Sequence, residues 1–176
     1  PCGVHAGESL TFTRWSVVTS SASWVALVAG LAAHASGARH LGSGALSVPK
    51  GRLLVGNNGR GSVTQSGGSF FLAVNLPLYV ANQAGSSSSF ISIDGGTFTN
   101  TGPVFIVVRD NASLTNNEGT VVAGHLSMGV SAGPPAFTGT VALKAGWLPV
   151  VSVSMGKAAV TANLIFDGGT LRAARA

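Results

Sequence analysis

Asp167 stands before two glycines in "LIFDGGTLRA" (164–173), and Asp94 stands the same way in "SIDGGTFTN". A carboxylate beside a glycine turn is how many calcium loops begin. Calcium takes about six to eight oxygen ligands, drawn from several residues. Aligning the other glycine corners of the chain puts Ser66, Asn117 and Lys144 in the same column. A lysine cannot ligate a cation, and the column is short of oxygens. Its reading is a turn that favours polar residues, and no metal site is expected.

Other chemistry fares no better. "GVSAG" (129–133) has the pattern of a nucleophile elbow around Ser131, but that arrangement needs a histidine later in the chain. The last histidine is His125, so no catalytic serine is expected. His5, His34, His40 and His125 share no ligand spacing. "GNNGRGS" (56–62) lacks the Gly-Lys-Ser/Thr of a phosphate loop, and Asn57 and Asn58 suit a turn instead. Cys2 is the sole cysteine, which excludes an intrachain disulfide. No cofactor is expected.

What must be positioned, then, is a core. Only 9% of the residues are charged, 45% are hydrophobic and there are 25 glycines, which favours a folded chain over a disordered one. Few charges with abundant Gly, Ser, Thr, Asn, Val and Leu make an all-β composition of short strands and many corners. The net charge of +5 is spread thinly, its densest group being Lys50, Arg52 and Arg60 without interleaved aromatics. Nucleic-acid binding is not expected from so dispersed a pattern.

The glycine corner repeats, and this is the strongest signal in the chain. Gly68, Gly96, Gly119, Gly146 and Gly169 align, at spacings of 28, 23, 27 and 23 residues. Two residues after them stand Phe70, Phe98, Val121, Leu148 and Leu171. Five residues before them stand Val63, Ile91, Leu114, Val141 and Leu164. All ten are apolar in a chain that is under half hydrophobic. A third column, Val55, Val80, Val108, Met128 and Met155, lies upstream across a variable loop.

Each unit reads as strand, corner, strand, glycine corner, strand. One unit cannot bury its apolar faces, whereas stacked units can. The expected fold is an all-β, right-handed parallel β-helix, the hand following the preference of parallel crossovers. The corner glycines supply positive φ, and the ten apolar residues stack along the axis. About five coils at about 4.8 Å each give a rod about 24 Å long.

Residues 51–176 carry the repeat, and 1–50 follow it poorly beyond "LGSGALSV" (41–48). Within the N-terminal part, "SWVALVAGLAAHA" (23–35) has the apolar run and Ala-x-Ala ending of a signal peptide. It reads equally as a coil or cap over the open edge of a solenoid, and it is too short to span a bilayer. At the other end, "GGTLRAARA" leaves Leu171 facing the axis with nothing after it, so further repeats beyond Ala176 are expected, or end-to-end self-association.

"LLVGNNGRGSVTQSGGSF", "LYVANQAGSSSSFISIDGGTFTN" and "NLIFDGGTLRA" resemble the passenger repeats of bacterial autotransporters and related surface-exposed β-strand repeat proteins. The resemblance covers 51–173. It implies export to the cell surface and a stalk or adhesive role, with glycans or host and cell-surface proteins as partners. The expected function is a rigid spacer without a catalytic site. The rival is a carbohydrate-active enzyme on the same fold, a polysaccharide lyase or hydrolase. Such an enzyme would need Asp94 and Glu118 brought together on adjacent coils, with Arg109 or Lys144 beside them.

Overall fold

A computed structural model describes residues 9–12, 25–29, 36–48, 51–72, 75–86, 88–106, 109–129, 137–156 and 160–174. Cys2, His5, Glu8, His34, Lys50, Val108 and Ser131 lie outside the described residues, as does most of the expected leader. Every regular element among the described residues is a strand, and every strand pairing is parallel.

Three sides build each coil. On the first side lie β1 (Ser9–Phe12), β3 (Ser36–Leu41), β6 (Arg60–Gln65), β9 (Ser89–Ile93), β11 (Ala112–Asn116), β13 (Phe137–Leu143) and β15 (Val160–Phe166), which form a seven-stranded sheet in that order. The second side holds β4 (Ala45–Val48) and β7 (Ser69–Leu72), and the third β2 (Val25–Ala29), β5 (Gly51–Val55) and β8 (Leu78–Val80). In later coils the second and third sides fuse into the long strands β10 (Thr97–Ile106), β12 (Thr120–Met128) and β14 (Trp147–Met155). The last strand on the second side is β16 (Thr170–Ala173). This is a β-solenoid, with about five turns over residues 51–176. The ladders run on across residue 50, since β2 pairs with β5, β3 with β6 and β4 with β7.

Because strand side chains alternate, fixing one register sets a whole column. Val63, Ile91, Leu114, Val141 and Leu164 are direct neighbours rung by rung. On the second side Phe70 faces Phe98, Phe98 faces Val121, and Leu148 faces Leu171. The rings of Phe70 and Phe98 meet edge to face at 5.1 Å, an arrangement that aromatic quadrupoles favour. Eight of these ten residues are buried. Leu164 is half-buried and Leu171 is 40% exposed, because among the described residues no strand stacks beyond β15 and β16.

Two expectations need correction. In the third column the partner of Val80 and Met128 is Ile106, two residues before Val108. Matching the local run "VVRDNA" to "LVGNNG" and "YVANQA" takes Val108 instead, and no fixed offset from the glycine corrects it, because the corner between the third and first sides varies in length: 56–59 in one coil, 81–88 in the next. The second concerns Gly119. Gly68, Gly96, Gly146 and Gly169 do have φ between 64° and 75°, but Gly119 does not. Glycine is required there by close approach, since a Cβ would lie 2.5 Å from Cγ2 of Ile93 and 3.0 Å from the carbonyl oxygen of Gly96.

Ile91 is fully buried between Val63 and Leu114, so an Ile91→Asp carboxylate would have no water and no partner. We expect that substitution to cost several kcal/mol (about 3–5) and to abolish cooperative folding. Ser88→Asp should shift stability by under about 0.5 kcal/mol, because Ser88 is exposed and its φ of 61° suits aspartate. Chemical denaturation of both variants checks this, and equal midpoints would refute the inward assignment of the column.

Candidate functional site

Where two strands fuse into one, the chain must bend to follow the coil. In β10 the register with β12 shifts between Asn100 and Pro103, so Thr101 and Gly102 oppose the single residue Gly124. Asn100 is fully buried and fastens the bend: its Oδ1 accepts from the Gly102 N–H at 2.9 Å. Gly124 fits because a Cβ would lie 2.1 Å from the Thr101 carbonyl oxygen. An isolated glycine inside a strand pattern signals such an approach of backbones, and "VVAGHL" carries that signal in the sequence.

The bend opens a groove of about 370 Å³ on the outside of the fused strands. Thr101, Val122, Ala123, Gly124, His125, Val151 and Ala174 line it. His125 and Ser152 are register partners on β12 and β14, and Nδ1 of His125 lies 2.7 Å from Oγ of Ser152. The sequence reading set His125 aside for want of ligand spacing. Its partner is 27 residues away and becomes a neighbour only through stacking.

Of the groups considered for acid–base catalysis, Asp94, Glu118 and Lys144 share the glycine corner of three successive coils, and Arg109 does not. Oδ1 of Asp94 accepts hydrogen bonds from Ser92 Oγ at 2.7 Å and Asn117 Nδ2 at 2.5 Å. Asp94, Asn117, Lys144 and Asp167 each start the glycine corner, and each backbone N–H donates to the rung below: to Gln65, Ile93, Asn116 and Leu143 respectively. The backbone fixes this column and leaves its side chains free to vary. Glu118 is exposed at the same corner. Arg109 sits at the corner between the third and first sides, where its N–H donates to Ala81 and its guanidinium approaches Gln83. It is therefore not beside Asp94. Among the described residues no group of three or more His, Cys, Asp or Glu is placed to hold a metal ion. No helix there is long and apolar enough to cross a membrane.

Two buried amides escaped the sequence reading. Nδ2 of Asn116 donates to the carbonyls of Gly119 and Trp147, both at 3.0 Å, tying its own corner to the next coil. Gln65 does the same for Gly68 and Thr97, at 3.2 and 3.1 Å. Ile93 and Leu143 occupy the same column, as the registers Gln65↔Ile93, Asn116↔Ile93 and Asn116↔Leu143 show. A mixed column of amides and aliphatics was the available signal.

No family model, curated protein or solved structure matches this chain.

Gly124→Ala should destabilise the solenoid by about 1–3 kcal/mol, the usual cost of an overpacked site. The groove would move with it, because the Thr101 carbonyl must give way. Thermal unfolding of the variant against the parent checks this, and an unchanged midpoint would mean that the bend is not under that constraint.

Proposed function

We propose that this chain is a rigid, non-catalytic repeat segment of an exported bacterial surface protein, serving as a spacer whose outer faces adhere. The observation that carries the reading is the unbroken register of the first side. Its outward positions follow one another as Ser62, Phe90, Ser113, Thr140 and Asn163, and as Thr64, Ser92, Thr115, Ala142 and Ile165. Six of these ten residues carry hydroxyls, set on the wall at steps of about 4.8 Å per rung. Such a wall is well hydrated and gives many weak hydrogen bonds to a polyhydroxylated partner. The likeness of its repeats to autotransporter passengers supports export and surface display.

Support for a non-catalytic role comes from what surrounds the acids. Asp94 is held by Ser92 and Asn117, and Arg109 lies at a different corner. General acid–base cleavage of a glycosidic bond needs two such groups converging on one bond.

Prolonged incubation with acidic and neutral polysaccharides, with and without calcium, should release no new reducing ends or unsaturated sugars. Sustained product formation that disappears in Asp94→Asn or His125→Ala would overturn the spacer reading in favour of an enzyme.

A further inference from the structure

Charge on this rod is divided between corners and strands. The described carboxylates, Asp94, Asp110, Glu118 and Asp167, all sit at corners. None of the described strands carries a carboxylate; the first side holds Arg39, His40 and Arg60, and the basic side chains of the second and third sides are Arg52, His125 and Arg172. The last three are exposed. Arg52 precedes Leu53 as His125 precedes Leu126, and the ladder Leu53↔Leu78↔Val104↔Leu126 puts Arg52 in the column of His125, three rungs away. Arg172 pairs with Pro149 beside the groove, in the column of Val122, two rungs beyond His125 and three residues to the side of its column, and two residues before Ala174 of the lining.

We propose that this groove and the strands flanking it bind an acidic polysaccharide running obliquely along the rod, with carboxylates meeting Arg172 on one flank, His125 in the groove and Arg52 on the other flank. The proposal deepens the adhesive reading above and rests on it. When Ser152 donates to Nδ1, the proton of His125 is on Nε2, which is then the nitrogen that meets the ligand. Ser152 thereby holds the ring in place. Val122, Val151 and Ala174 offer apolar surface to the C–H faces of sugar rings, and Thr101 adds a hydroxyl at the floor.

Charge spacing selects the ligand. Along the axis Arg172 and His125 stand about 10 Å apart and His125 and Arg52 about 14 Å apart, from the rung spacing, with Arg172 three residues (about 10 Å along the strand) to the side. A nucleic-acid strand presents a phosphate about every 3.4 Å, which three groups so far apart would leave mostly unpaired. A glycan alternating uronic acid with a neutral sugar spreads its charge more widely.

The test is titration calorimetry of the full chain with an oligosaccharide of alternating glucuronate and N-acetylglucosamine. The same oligosaccharide with its carboxyls reduced, and a DNA oligonucleotide, are titrated alongside. We expect the acidic glycan to bind, the reduced form to bind at least about tenfold more weakly, and salt to weaken the acidic glycan alone. Arg172→Ala and His125→Gln should each weaken binding by about fivefold, while Lys144→Ala, at a corner, should leave it unchanged. Circular dichroism confirms that each variant is folded. Absent binding by the folded parent, equal affinity for the reduced glycan, equal loss in Lys144→Ala, or tighter binding of DNA would each overturn the proposal. None of these outcomes touches the spacer reading, which falls only on cleavage of a polysaccharide.

Discussion

At the glycine corner, each coil rests its backbone on the carbonyl of the coil beneath. The N–H of Ser69 donates to Gly44, Thr97 to Gly68, Thr120 to Gly96, Trp147 to Gly119 and Thr170 to Gly146, all at 2.8 to 3.0 Å. Peptide groups stacked this closely leave no room for a side chain between them: a Cβ on Gly68, Gly96 or Gly146 would come within 2.3 Å of the carbonyl below. Every other feature follows from that contact. It sets the register of the first side, which precedes it, and of the second, which follows it. Those registers align the apolar columns, and the columns exclude water from the ladder that defines them. Burial of the apolar columns provides the main driving force, but the corner decides which residues meet.

This explains why the core was legible in the sequence and the groove was not. Columns anchored to the glycine, such as Val63 to Leu164, keep a fixed offset from it and could be read by counting. The third column lies across a corner of changing length, where counting gives no anchor and the likeness of short runs takes Val108 for Ile106. Fusion of two sides into β10, β12 and β14 is a property of the bend, and the bend depends on Asn100, Gly102 and Gly124 acting together across two coils. The pairing of His125 with Ser152 depends in turn on that fusion. No local pattern marks either residue.

Gly119 shows a further way in which sequence and geometry part. The same residue recurs at one corner, yet for two reasons: positive φ at Gly96 and Gly146, and contact with Ile93 at Gly119. The column containing Gln65, Ile93, Asn116 and Leu143 makes the complementary point. Amides there bridge to two carbonyls, while aliphatics fill the same volume without bridging. The corner tolerates both because its backbone bonds are already complete, and the two bonds each amide donates are offset by its buried oxygen, Oε1 of Gln65 or Oδ1 of Asn116, which accepts none.

That self-sufficiency of the corner bears on how such a chain can change over time. Each rung contacts its two neighbours and presents the same backbone above and below, so a whole rung can be lost or duplicated and the faces left behind still fit. Loss of part of a rung would set strand against corner and turn apolar columns outward. Recombination between repeats is thus filtered by the fold itself: length varies in whole coils, while the width of the rod and the pattern on its walls persist.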